Sequence, residues 1–245
     1  MKFIKSEKFQ KIFYPIFYLL FTIAITISGC FIFTRYYYTN IFVSGPSMLP
    51  TLVGNDGKNI HHYGIADTSD AAISGLKRFD VLITHYPESW HATDGLIVKR
   101  IWGFPGETIT LVTTESESVF TVTKGSYTKT YTATKNLIQA DTISAIETMN
   151  VYTFDVGTKI FNTRSESASD RRNFSVTLSS NQYFVMGDNW KDSTDCYTKI
   201  SLAEKLERKH LQGKVICIQG YGKMSESGGT YNIYDKHPIT PMYRF

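Results

Sequence analysis

Two segments of this 245-residue chain carry side chains suited to nucleophilic chemistry, and they lie about fifty residues apart. The first is SGPSMLPTL, residues 44–52, which sets Ser47 among turn-forming neighbours. A serine hydroxyl is a weak nucleophile until a base stands within hydrogen-bond reach. Gly45, Pro46 and Pro50 can fix an unusual backbone path, while Met48 and Leu49 anchor the loop in apolar surroundings. Taken alone, a Gly-Pro-Ser turn is more often structural than catalytic.

A candidate base lies in LIVKRIWGFPGETITLV, residues 96–112. Read as a strand, its period of two puts Ile97, Lys99 and Ile101 on one face and Val98, Arg100 and Trp102 on the other. If the first face is buried, desolvation disfavours the Lys99 ammonium and lowers its pKa. A lysine neutral near pH 7 is a competent general base. Arg100 cannot serve, because a guanidinium stays protonated. The other reading of Lys99 is an edge lysine whose stem lies on apolar surface while its amine reaches water.

The same segments, in order, resemble those of the type I signal peptidases, membrane-bound Ser/Lys proteases that remove signal peptides from exported proteins. SGPSMLPTL matches that family's nucleophile block, and VKRIWGFPGET (98–108) matches its lysine block. FDVLITHYP (79–87) resembles a strand block that usually begins Gly-Asp, with Asp80 kept and Phe79 in the glycine's place. GDNWKDSTD (187–195) matches a Gly-Asp-Asn block with a downstream serine and aspartate. The resemblance implies Ser47 as nucleophile, Lys99 as base, and Ser193 as the group that hydrogen-bonds Lys99 and orients its amine. Arg100, Asp188 and Asp195 become framework residues of the site. Met48 and Gly45 become substrate-binding positions, in pockets that prefer small residues one and three before the cut.

Two departures stand out. Some relatives carry a serine two positions before the nucleophile, which donates its hydroxyl to the oxyanion; here that position is Gly45. Oxyanion stabilisation would then rest on backbone N–H groups such as that of Ser47. The family's final block usually ends Asp-Ser-Arg with an ion pair, whereas this chain reads Asp195-Cys196-Tyr197. Asp195 therefore lacks its expected partner, which points to a divergent member. The alternative to a general signal peptidase is a specialised homologue that acts on a narrow substrate set or serves as a non-catalytic assembly partner for cell-surface proteins.

The elements that must position these residues begin with a membrane segment. Residues 12–34 contain no charge and would extend roughly 35 Å as a helix, enough to cross a hydrocarbon core of about 30 Å. Pro15 falls near the start of this run, where a helix tolerates it, and Tyr36, Tyr37 and Tyr38 follow it as interfacial aromatics would. Lys2, Lys5, Lys8 and Lys11 oppose Arg35 alone, so the positive-inside rule keeps the N-terminus cytoplasmic and exports the rest. ISGC (27–30) also resembles a lipobox, and cleavage before Cys30 would leave a lipid-anchored body. The expected organisation is a basic segment at 1–11 and a transmembrane helix at 12–34. An extracytoplasmic catalytic β core follows at 35–113 and 182–245, with an inserted variable β region at 114–181. The fold class is mainly β. Strands are expected at 80–86, 96–102, in ETITLVT after the Phe104-Pro105-Gly106 turn, in SVFTVT and YTKTYTAT, in NQYFVMGDN and in LQGKVICIQG. SLAEKLERKH (201–210) reads as a short amphipathic helix, with Leu202 and Leu206 four apart. Few residues separate Arg35 from Ser47, which sets the dyad close to the outer leaflet.

Composition narrows the remaining classes. With 42% hydrophobic and 20% charged residues the chain is that of a folded protein. A net charge of +4, much of it in the N-terminal lysines, leaves no basic stripe for nucleic acid. The six histidines, including the pair His61-His62, show no metal-ligand spacing, so neither a metal nor another cofactor is expected. LexA-type self-cleaving repressors use a similar Ser/Lys core, but they lack a membrane span and carry a DNA-binding helix-turn-helix. The expected partners are signal peptides of exported preproteins and the lipid bilayer, with the secretion translocon a further candidate. Cys196 and Cys217 are the only pair able to form a disulfide outside the apolar run, and the sequence leaves that pairing open.

Overall fold

A computed structural model describes residues 7–54, 59–87, 95–142, 145–198, 206–227 and 230–244. The chain divides into two compact units, Met1–Thr39 and Asn40–Phe245. The first is dominated by helix α1 (Glu7–Tyr37), of which Gln10–Tyr37 is long and apolar enough to cross a membrane. Three of its threonines bond the helix's own carbonyls, as an apolar medium favours. Thr22 Oγ1 donates to the Tyr18 carbonyl, Thr26 Oγ1 to that of Thr22, and Thr34 Oγ1 to that of Phe31. Phe13, Phe17 and Phe21 stack at i,i+4 spacing, with ring centroids 5.9 and 6.0 Å apart. The helix is longer at both ends than the charge-free run. Pro15 therefore lies two turns inside it, not at its start.

The second unit is built from two antiparallel sheets. The first sheet uses β1 (Tyr38–Phe42), β2 (Ile60–Asp67), β3 (Val81–His85), β4 (Leu96–Gly103), β11 (Gln182–Met186), β12 (Leu206–Glu207), β13 (Leu211–Ser227) and β14 (Thr230–Arg244). Its order is β1-β2-β13-β3-β4-β11-β12, with β14 paired to β13. A five-residue helix, α2 (Asp70–Ser74), follows β2 and is capped by the Ser69 side chain, which accepts from the Ala72 N–H. The second sheet uses β5 (Thr108–Thr113), β6 (Glu117–Lys124), β7 (Tyr127–Thr142), β8 (Ala145–Asp155), β9 (Ile160–Arg164) and β10 (Phe174–Thr177) in the order β10-β5-β6-β7-β8-β9. The mainly β architecture with one N-terminal apolar helix agrees with the sequence reading. The second sheet begins at Thr108, before residue 114, because β5 pairs with β6 and β10.

Of the 201–210 segment, residues 201–205, including Leu202, lie outside the described residues. The rest is not helical in the way expected. Leu206 and Glu207 pair with Tyr183 and Gln182 of β11, and Arg208–His210 make one 3-10 turn. Leu206 is fully buried, so its apolar character serves a sheet edge instead of a helix face.

The two sheets share one hydrophobic core, in which Leu82, Ile101 and Phe184 meet Ile109, Phe120, Tyr152 and Phe154. Phe79 sits at its centre, with its ring 5.1 Å from Trp102, 5.0 Å from Phe161 and 5.8 Å from Phe120. The backbone of Phe79 is left-handed, with φ +66°. A glycine adopts that conformation without strain, and glycine is the residue the resembling block usually has here. The aromatic ring gives this chain burial that offsets the strain. A second, smaller cluster gathers Ile41, Val43, Met48, Leu52, Ala66, Val81, Ile83, Val215 and Ile218 beneath the serine loop.

Candidate active site

Ser47 occupies a 3-10 turn, Pro46–Met48, which packs against β4. The turn forms because Pro46 presets the first helical φ, while Gly45 enters it in extended conformation. Met48 is fully buried in the smaller core and holds the turn from below. Leu49–Pro50 is a cis peptide, and the Leu52 N–H returns to the Met48 carbonyl at 2.9 Å.

The ends of this loop are clasped by β2. Val43 donates to the His62 carbonyl, the His62 N–H to the Val53 carbonyl, and the Val53 N–H to His62 Nδ1 at 3.2 Å. His61 Nδ1 donates to the Val43 carbonyl at 2.7 Å. Burial pushes the His62 imidazole down to about 4, so the ring is neutral and free to accept. Gly54 closes the base of the loop: a Cβ there would lie 2.6 Å from the carbonyls of both Gly45 and Val43. Gly54 and the histidine pair hold the ends of the candidate serine loop, and sequence reading missed them. Searching histidines for metal spacing did not find them, because their partners here are backbone groups.

Lys99 lies in the middle of β4, opposite Leu82 of β3, and is only 2% exposed. Burial pushes its ammonium down to about 8, against the opposing pull of Asp195, then Asp188 and Asp192. The snorkelling alternative therefore does not hold. Arg100, next along the strand, is also buried, so both faces of β4 are covered at this level. Arg100 forks onto Asp188, Nε to Oδ1 at 2.8 Å and Nη2 to Oδ2 at 2.5 Å, and donates to the Phe79 carbonyl. Its guanidinium also stacks over Phe161 at 4.2 Å. Thr51 Oγ1 donates to Asp188 Oδ2 at 2.5 Å, which ties the serine loop to this buried ion pair.

The 187–198 loop follows β11 and completes the constellation. The Asn189 N–H donates to the Ser47 carbonyl at 2.9 Å and its Nδ2 to the Pro46 carbonyl at 3.0 Å. Ser193 is buried beside Gly187 and the Ser47 carbonyl, and its hydroxyl has no hydrogen-bond partner among the described residues. The expected Ser193–Lys99 hydrogen bond is thus not formed in this structure. Asp195 is fully buried and held by backbone amides: Oδ2 accepts from Gly187, Oδ1 from Tyr197 and Thr198. Among the described residues no arginine pairs with it. Cys196 and Cys217 are both free thiols.

Asp80, the retained aspartate of the strand block, stands apart from this cluster as a structural hub. Lys159 from the β8–β9 turn and Lys214 from β13 both bond it, the latter at 2.7 Å. Burial would raise its pKa, but those two lysines outweigh it and hold the carboxyl below its ordinary value. The pairing joins the two sheets through charges far apart in sequence.

The arrangement sets a turn-borne serine, a buried lysine of lowered pKa and a hydroxyl with spare bonding capacity among Ser47, Lys99 and Ser193. Among the described residues no group of histidine, cysteine or carboxylate side chains could hold a metal ion. The family model for signal peptidase, peptidase S26, matches residues 15–218. No curated protein matches the chain.

Proposed function

This chain belongs to the signal peptidase family, peptidase S26, and from that premise we propose that it is a membrane-bound endopeptidase working through a Ser47–Lys99 dyad. The observation that carries this reading is the burial of Lys99 on the strand that packs against the Ser47 turn, with its amine pushed down to about 8. A base of that pKa accepts a proton near neutral pH without being permanently neutral.

In the proposed mechanism the neutral Lys99 amine takes the Ser47 proton as Oγ attacks the scissile carbonyl. Backbone N–H groups of the loop, that of Ser47 included, stabilise the oxyanion. The resulting ammonium returns the proton to the leaving amine, which departs as the mature N-terminus. Lys99 then activates water to hydrolyse the acyl-enzyme, and Ser47 is regenerated. Ser193 turns its spare hydroxyl to Lys99 and orients the amine; Arg100, Asp188 and Asp195 hold the frame. Small residues one and three before the cut fit pockets beside Gly45, with Met48 supporting them from the core. The substrates are signal peptides of exported preproteins. The N-terminus is cytoplasmic and the β unit lies outside, so the short stretch from Arg35 to Ser47 keeps the dyad near the outer leaflet.

The test is cleavage of a preprotein ending its signal in Ala-x-Ala by the full chain in lipid vesicles. Loss of cleavage in both Ser47→Ala and Lys99→Ala is expected, with folding retained. Undiminished cleavage by either variant would sink the dyad, and protease accessibility of the β unit in intact cells checks the orientation.

A further inference from the structure

The block that ends the site lacks the arginine that usually pairs with its aspartate, and another cation, Arg172, lies over the residue in that arginine's place. Arg172, 6% exposed, precedes β10 and is separated from the block by β10 and β11. Its backbone is fixed to the second sheet: Thr113 Oγ1 donates to the Arg172 carbonyl at 2.9 Å, and Asn173 Oδ1 accepts from the Thr113 N–H at 2.8 Å. Its guanidinium lies 4.3 Å over the ring of Tyr197, the residue standing in the missing arginine's place. Nη2 donates to the Trp190 carbonyl at 2.7 Å, and Nε has no partner among the described residues. The Tyr197 ring also lies 5.7 Å from that of Phe174.

Trp190 and Tyr197 lie toward opposite ends of the loop that carries Asp188, Asn189, Ser193 and Asp195. We propose that Arg172 is a positioning residue of the active site, a clamp that joins the two ends of the 187–198 loop through the Tyr197 ring and the Trp190 carbonyl. Resting on the dyad reading above, it acts on catalysis through Asp195 and Ser193. A buried guanidinium with no carboxylate partner among the described residues costs desolvation, so bare stability gives no reason for it. A cation–π contact over a desolvated ring compensates in part and fixes geometry. The loop's geometry also bears on Lys99. Asp195, with no arginine partner among the described residues, is the first of the charges that raise the lysine's pKa.

The experiment uses the full chain in vesicles with Arg172→Ala, Arg172→Lys, Tyr197→Leu and Tyr197→Phe. Hydrogen exchange of the 187–198 amides is measured alongside cleavage of an Ala-x-Ala peptide. The clamp predicts at least tenfold faster exchange of the Gly187, Tyr197 and Thr198 amides in Arg172→Ala and Tyr197→Leu. It also predicts a tenfold or larger fall in kcat with KM changed less than twofold, and an acid limb of kcat/KM moved to lower pH as Asp195 drifts from Lys99. The double variant should lose no more than the worse single one, and Tyr197→Phe should recover most of what Tyr197→Leu loses. Unchanged loop exchange in both Arg172→Ala and Tyr197→Leu, or losses that simply add in the double variant, would overturn the clamp. If the parent chain cleaves nothing, the dyad reading fails while the exchange data still decide the clamp. Arg172→Lys and Tyr197→Leu keep the test open if Arg172→Ala does not fold.

Discussion

A methyl group on Gly187 would lie 2.2 Å from the Ser193 hydroxyl and 2.3 Å from the Ser47 carbonyl. The glycine is therefore what lets the Ser193 hydroxyl and the backbone of Ser47, the proposed orienting group and nucleophile, share one small space. Gly187→Ala must push one of them away. The expected result is a hundredfold or greater fall in kcat, with a stability loss of about 1–3 kcal/mol from overpacking. Steady-state cleavage and thermal melting of the same preparation check it; parental kcat would contradict the packing.

Gly45 gives the opposite expectation. It is extended, at φ −119° and ψ 166°, and a Cβ there meets nothing within 4 Å. Neither space nor backbone demands a glycine, so a serine can be introduced where some relatives carry one. A side-chain oxyanion donor is worth about 2.7–4 kcal/mol where it is well aimed. Gly45→Ser should raise kcat by about tenfold, allowing for imperfect aim, with the melting temperature unchanged. A fall in kcat would mean that the hydroxyl meets the substrate and not the oxyanion.

The proposed dyad predicts a pH dependence. As general base Lys99 would act only when neutral, so log kcat/KM should rise with slope one up to about pH 8 and level off above it. The same shift has a thermodynamic sign. A lysine whose folded pKa lies below its unfolded 10.5 resists folding at neutral pH, and the penalty vanishes once pH exceeds the unfolded value. Lys99→Met should therefore abolish cleavage yet stabilise the fold at pH 7 by about 1–3 kcal/mol. An inactive variant that melts lower than the parent would show that the amine's contacts outweigh its desolvation.

His62 predicts acid sensitivity of the serine loop. Its folded pKa, about 4, lies below the unfolded 6.5. Its contribution is complete above pH 6.5 and is lost as pH falls toward 4, up to about 3 kcal/mol in all. In His62→Gln the acceptor for the Val53 N–H is kept but cannot titrate. Between pH 7 and 4.5 the parent should lose about 2 kcal/mol more than this variant in denaturant titrations. Equal losses would remove His62 from the acid response.

What could be read from the sequence was local, and what could not was a long-range pairing. Ser47 and Lys99 stood out because each sits in a compact block and because strand alternation put Lys99 between two isoleucines. β4 formed where that reading put a strand, with Lys99 buried, but burial runs unbroken from Lys99 to Gly103 instead of alternating. The clasp of His61 and His62 on Val43 and Val53 was invisible, since β2 lay in a stretch with no apolar alternation to mark it. Arg172 was invisible for a related reason: its partners Trp190 and Tyr197 come from beyond two further strands. Leu206 misled because its i,i+4 partner suggested a helix face, whereas pairing with β11 overrode local propensity. Phe79 read as a mere deviation from glycine, and only its φ and its ring neighbours explain it.

That residue supports a last prediction with an unusual order. Replacing a buried phenylalanine by alanine typically costs about 3–5 kcal/mol through lost burial and the cavity left behind. Replacement by glycine ordinarily costs more, because the unfolded chain gains freedom. At Phe79 the φ of +66° reverses the comparison. Alanine keeps the left-handed strain, worth about 1 kcal/mol, while glycine releases it. Phe79→Gly should therefore be as stable as Phe79→Ala or more so, although both lose the contacts to Trp102, Phe120 and Phe161. Denaturant melts of the two variants decide it. An alanine variant more stable than the glycine one by 0.5–1 kcal/mol, the ordinary order in regular structure, would show that the backbone relaxes out of the left-handed region once the ring is gone.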